Sequence, residues 1–309
     1  MGQNKQSLQL FFEQKIMRLI SEMSMSAVSN ELGEPDNNLW RVFNHYIKQA
    51  ISDQIELSQT RRIAVDETAQ KRGHDYVTIF TDLDTGEVIL VVPGRKMEVF
   101  GMLYGWLFDK GGHPKNIDLF SMDMSVSYKA GSKGYFSNAE IVFDRFHIKK
   151  GVNEALDKVR KEEAKSVDEL KNTKYIWLKN EENLNDKQRA SLTMFLAEST
   201  TKTTEAYRLK VSFDKLWEVQ PRAADSLLNL WIEKAISSGL KPFEKFVTTL
   251  INNYEGVLKS IKTKITNAVA EGINSKVQLT RNRARGYRNT ENFISMIYYL
   301  GNDFVFTHT

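Results

Sequence analysis

The segment HDYVTIFTDLDTGEVILVVPG, residues 74–94, holds two β-branched and aromatic runs separated by Asp84, Thr85 and Gly86. Apolar residues at a period of two on both sides of an Asp-Thr-Gly turn spell a β-hairpin, because side chains alternate between sheet faces and glycine tolerates the turn's left-handed backbone. Upstream, RRIAVDET at 61–68 keeps the same period. Downstream come an amphipathic helix over roughly 96–109, a strand in NIDLFSMDMS (116–125), a short helix near 125–131 and a strand in AEIVFD (139–144). Three antiparallel strands followed by alternating helices and strands predict a mixed α/β sheet.

The flanks are helical. Residues 6–30 place Leu8, Phe11, Phe12, Ile16, Leu19 and Ile20 on one apolar face. Ser24 or Ser26 then caps a short helix ending near Gly33, and Asn37 or Asn38 caps a second whose core face is Leu39, Val42, Phe43 and Tyr46. That rhythm has the size of a helix-turn-helix and equally of a plain helical bundle. From 146 to about 268 the pattern stays helical, and a last helix containing Gly272 leads into a basic segment. The expected division is a helical DNA-binding region at 1–58, a core beginning at 59–150, an all-α insertion at 151–262 and a core completion at 263–309.

The chain has 309 residues, 41% hydrophobic and 27% charged, which is ordinary for a globular protein. It has no apolar run of membrane-span length and no signal-peptide zones at its start, so no membrane association and a cytoplasmic, nucleoid-associated location in a bacterium are expected. With no cysteine, disulfides and zinc ribbons are excluded and any metal must take oxygen or imidazole ligands. The net charge of +4 is mild, but KVQLTRNRARGYRN at 276–289 concentrates five bases without an acid. Lys276, Arg281, Arg283, Arg285 and Arg288 form either a phosphate-facing stripe or a solvated helix face.

Asp66, Asp123 and Asp144 each close a predicted strand. One such acid is ordinarily a cap, whereas carboxylates converging on one sheet edge make a hard-oxygen cradle for Mg²⁺. IVFDRFHIKKGVNEALDKVR, residues 141–160, adds Arg145 and His147 to the turn after Asp144. His147 is either a helix cap or a proton-transfer group, and Arg145 either lines a site or pairs with Asp144.

Four segments, AVDETAQKRGHDYVTIFTDLDTGEVI, SMDMSVSYKAG, NAEIVFDRFHIKKGVNEALDKVRKEE and EGINSKVQLTRNRARGYRNTENF, resemble in order and spacing the DDE transposases of the ISL-three family of insertion sequences. The resemblance covers nearly everything from 61 to 295. It implies a ribonuclease-H-like core split by an α-helical insertion, catalytic and metal-binding Asp66, Asp123 and Glu271, and accessory Asp144, Arg145, Phe146 and His147; the place of His147 beside Asp144 and Arg145 favours a catalytic role for it. It also implies two Mg²⁺ or Mn²⁺ ions per active site and double-stranded DNA as partner, bound by a homodimer or larger assembly. The family's usual four-cysteine zinc ribbon has no counterpart here, which leads to the expectation of a truncated or streamlined member.

Such chemistry suits these residue types. Strand transfer needs an oxygen nucleophile in line with a phosphodiester, and two divalent ions about 4 Å apart activate the nucleophile and stabilise the leaving oxygen. Asn37, Asn38 and Arg41 would contact base edges from the second N-terminal helix, while the arginines neutralise phosphates. Trp217 and Trp231 sit at core-like spacing, and core packing is preferred over base stacking. The alternatives are an inactive or truncated derivative that only binds DNA, and a structure-specific nuclease of the same fold.

Overall fold

The computed structural model describes residues 2–71, 75–198 and 200–306. In chain order these form α1 (Gly2–Glu22), α2 (Met25–Leu32), α3 (Asp36–Gln54), β1 (Arg62–Ala69), β2 (Tyr76–Asp82), β3 (Val88–Pro93), α4 (Glu98–Asp109), β4 (Leu119–Met122), α5 (Val126–Tyr135) and β5 (Glu140–Phe143). There follow α6 (Arg145–Glu163), α7 (Lys174–Leu178), α8 (Asp186–Glu198), α9 (Lys202–Asp214), α10 (Ala224–Ser237), α11 (Lys241–Ile251), α12 (Tyr254–Thr263), α13 (Ala268–Arg283) and α14 (Thr290–Gly301). The chain divides into two compact units, residues 1–141 with 267–309, and residues 142–266. The boundaries expected at 151 and 262 fall inside the second.

The sheet has the order β3-β2-β1-β4-β5, with β1–β2 and β2–β3 antiparallel and β1–β4 parallel. It is the expected mixed α/β, ribonuclease-H-like sheet. The hairpin turn is where the sequence places it: the Asp82 carboxylate accepts the backbone N–H of Asp84 (2.7 Å) and Thr85 (3.3 Å), and Gly86 takes φ +81°. Alternation puts Phe80 and Phe120 on one face, where α4 and α5 cover them. Phe100 of α4 meets Phe80, Phe120 and Tyr128 edge-on at centroid distances of 5.4–5.8 Å, and these three phenylalanines are fully buried. Burial of each side chain contributes about 1.5–3 kcal/mol, which makes this cluster the centre of the unit's core. The two helices approach closely at Gly131, where a Cβ would lie 2.5 Å from the Phe100 ring and 2.9 Å from the Met97 carbonyl.

Helices α13 and α14 cover the opposite face. The Tyr298 hydroxyl of α14 accepts the Val91 N–H of β3 at 3.1 Å, and α3 packs on α14 through Phe43 against Tyr299 and through the Asn44–Asn292 side-chain bond of 2.8 Å. At the N-terminus Ser24 caps α2 through the Ala27 N–H and the helix ends at Gly33, as expected. Two other expectations there need correction. Phe11 is 69% exposed although its spacing placed it on the core face, whereas Ile16 and Ile20 are buried. Helix α3 starts from Pro35 with no side-chain cap, and Asn37 and Asn38 lie in its first turn, because proline's fixed φ already sets the entry. The Leu8 side chain lies outside what the structure describes.

The second unit is helical, with α6 against α7, α9 and α11. Trp231 and Trp217 are 3% exposed in its core, Trp231 donating to the Leu209 carbonyl at 2.9 Å, so both are packing residues. Arg160 donates two hydrogen bonds to Asp157 Oδ1 (2.9 and 2.7 Å), a buried pair to which exposed Lys161 adds a contact at 2.8 Å.

Candidate active site

Between the parallel strands β1 and β4, Arg62 stands opposite Leu119, Ile63 opposite Phe120 and Ala64 opposite Ser121. Carried two residues further, that register sets Asp66 at the position matching Asp123, just past the end of β4. Both share the side-chain parity of Ala64 and Ser121, on the α13 face, and adjacent strands lie about 4.8 Å apart. The Tyr128 hydroxyl senses the same gathering of charge. Its pKa is raised chiefly by burial, against a lowering hydrogen bond with Thr78, with smaller upward contributions from the Glu67, Asp123 and Asp66 carboxylates.

Each aspartate is held from its own chain. Asp66 Oδ1 accepts the Glu67 N–H at 2.8 Å, and Asp123 Oδ1 accepts the Ser125 N–H at 2.8 Å where α5 begins. Helix α13 then reaches across: the Asn274 side-chain amide donates to Asp66 Oδ2. Asn274 is buried and its Oδ1 has no hydrogen-bond partner among the described residues. Glu271 lies three residues earlier, on the neighbouring position of the same helical face, in the exposed first turn of α13.

The donor chemistry fits a hard divalent cation: carboxylate oxygens, with an unpartnered amide oxygen beside them. The three carboxylates do not close on one point, however. Among the described residues no group of three or more His, Asp or Glu side chains is close enough to hold an ion.

The basic segment divides by role. Arg281 Nη1 donates to the Ala69 carbonyl at 2.7 Å, and Gln70, 3% exposed, donates to the Tyr287 carbonyl at 3.0 Å and accepts from the Thr290 hydroxyl at 2.9 Å. These bonds clamp the end of β1 to the turn between α13 and α14. Lys276, Arg283, Arg285 and Arg288 have exposed side chains, with Arg283 touching the Glu22 carbonyl at 3.3 Å.

Asp144, Arg145 and His147 belong to the second unit, where Asp144 meets His147 and Arg145 lies against the helical core. Asp144 is 2% exposed and caps α6, accepting the Phe146 N–H at 3.4 Å, and its other oxygen meets His147 Nδ1 at 2.9 Å. The Arg145 guanidinium lies 5.4 Å from the Trp217 ring. Residue spacing alone did not single out Asn274 or Gln70. Asn274 carried one usable signal, its place one helical turn from Glu271.

Asp66 does not close β1 as expected: the strand runs on to Ala69, paired with β2, so Asp66 sits inside it while Asp123 follows the end of β4. A mixed sheet of this order, with aspartates at matching register on two parallel neighbours and a glutamate on the helix that crosses them, defines a ribonuclease-H-like core. The chain belongs to the ISL-three family of DDE transposases, whose model, described as a transposase, matches residues 63–297. It is 29% identical over 249 residues to the transposase for insertion sequence element IS1001 of Bordetella parapertussis, covering 78% of this chain and 61% of that protein. It is 21% identical over 290 residues to the transposase for insertion sequence element IS1557 of Mycobacterium tuberculosis (strain CDC 1551 / Oshkosh), covering 83% and 64%. The chain thus spans less than two thirds of the length of these relatives. Among the described residues no helix is long and apolar enough to cross a membrane.

Proposed function

We propose that the protein cuts insertion-sequence ends and joins them to target DNA, with Asp66 and Asp123 as paired metal ligands and Glu271 as the third. The observation that carries this is the β1–β4 register, which sets Asp66, inside β1, beside Asp123, just past the end of β4, on the α13 face in a chain of the transposase family. Mg²⁺ or Mn²⁺, two ions per site, would supply activation of an oxygen nucleophile and stabilisation of the leaving oxygen. The protein's part is positional. Asn274 and the Glu67 N–H each hold one Asp66 oxygen, which fixes the carboxylate's orientation. Arg281 and Gln70 tie the basic turn to the strand that carries Asp66, so phosphates held by Lys276, Arg283, Arg285 and Arg288 keep a set distance from the carboxylates. Asn38 and Arg41, exposed on α3, would meet double-stranded element ends, and two ends processed together call for a homodimer or larger assembly on DNA.

The open carboxylate trio favours one second reading, a derivative that binds DNA without cutting it. A labelled element end incubated with Mg²⁺ and a target plasmid decides. Joined product supports the proposal, cleavage without joining makes the protein a nuclease, and a bound but uncut end leaves only DNA binding.

A further inference from the structure

A cleft of about 860 Å³ opens in the first unit between the N-terminal helices and the turn joining α13 to α14. Arg283, Arg285 and Arg288 line it against one acid, Asp36, together with Asn37 and Trp40. The N-terminal turns of α2, α3 and α14 also open onto it, at Ser24–Ala27, Asp36–Asn37 and Asn289. Helix N-termini carry partial positive charge, so they reinforce the field of the three guanidiniums. The turn itself is strained: Arg285 adopts φ +57° immediately before Gly286 at φ +91°. The conformation ends α13, with the Gly286 N–H bonded to the Arg281 carbonyl at 2.8 Å, and it turns the Arg285 side chain onto the cleft as one of its three cations.

We infer that this cleft holds a single strand of DNA, two to three nucleotides long, with phosphates on the three arginines and a base against Trp40. The inference rests on the reading that DNA is the partner and adds which form of it enters here. A recess of this volume is the size of a site for a small organic ligand, whereas a duplex, whose major groove alone is about 12 Å wide, can touch only its rim. Guanidiniums beside an aromatic ring are what single strands require, because every base offers a face for stacking and every nucleotide a phosphate. The cleft also separates residues that spacing grouped together. Asn37 lines it, whereas Asn38 and Arg41 do not and remain with the duplex.

Binding of fluorescein-labelled oligodeoxythymidine of 12 nucleotides, and of a duplex of equal length, is to be measured by anisotropy on the full chain without divalent ions. The expected result is at least tenfold tighter binding of the strand. Arg288→Gln should weaken strand binding about fivefold and reduce the slope of log affinity on log salt by about 0.7, the value for a single phosphate left without its cation. Arg285→Gly should weaken it similarly without lowering the melting temperature, since glycine relieves the left-handed strain. Equal or tighter duplex binding overturns the inference, and so does unchanged strand affinity in both folded variants. Because no metal or cleavage is involved, failure of the catalytic proposal would leave this result standing, and the reverse holds as well.

Discussion

Asn274→Ala isolates the contact that links helix α13 to β1 at Asp66. The Asn274 amide donates to an ionised Asp66 oxygen, and such a bond contributes about 1.5–3 kcal/mol. The same substitution removes the buried Asn274 Oδ1, which has no partner among the described residues and whose desolvation costs about 1–3 kcal/mol. The two effects nearly cancel in the stability of the fold. They do not cancel in the reaction, where only the orientation of Asp66 counts. With each 1.36 kcal/mol worth a factor of ten, cleavage should fall about 10- to 150-fold. The assay is cleavage of labelled end DNA against Mg²⁺ concentration, with thermal unfolding in parallel. Half-saturating Mg²⁺ should rise while the melting temperature moves by less than about 4 °C, the shift expected for 1 kcal/mol in a domain of this size. An unchanged Mg²⁺ dependence and rate would refute the positioning role, and a melting decrease large enough to explain the drop in activity would reduce Asn274 to a packing residue.

Asp66→Asn, Asp123→Asn and Glu271→Gln should each abolish cleavage and leave DNA retention in a gel-shift assay nearly intact; full activity in any of them removes that residue from the site. His147→Ala should lower the melting temperature by a few degrees if its bond to the Asp144 helix cap is its whole role, whereas a 10²- to 10⁴-fold fall in cleavage at unchanged melting is the result expected of an acid–base role. Asp157→Asn should destabilise the helical unit by about 3 kcal/mol, because it strands the buried Arg160 charge. Burial pushes the Asp157 carboxyl up, but hydrogen bonds from Lys161 and Arg160 outweigh that and hold it below the ordinary carboxylate value. A lowered folded-state pKa contributes stability above the unfolded value near 3.9, and that stability is lost as pH falls through the lower folded value. Acid titration of the melting temperature should therefore be flatter in Asp157→Asn below about pH 4.

Local periodicity carried the sheet. The β2–β3 hairpin, the strands carrying Asp66 and leading to Asp123, and the helix bearing Glu271 all follow from side-chain alternation, turn chemistry and helical spacing, which act over a few residues and are written in neighbouring letters, although β1 runs past Asp66 to Ala69 because β2 continues to pair with it. Phe11 shows the limit of that code, since an apolar position on a helical face is buried only when another element arrives to cover it. Asp144 shows it too. Its letter read as a strand-end cap or part of a metal cradle, and the 2%-exposed helix cap with His147 on its second oxygen emerges only once α6 is packed. The β1–β4 register that matches Asp66 with Asp123 joins segments over fifty residues apart, and the Asn274–Asp66 bond joins residues 208 apart. The arginine cleft needs α2, α3 and the α13–α14 turn at once. Such neighbours are chosen by which faces fit and bury together, a property of the whole unit that no local pattern encodes.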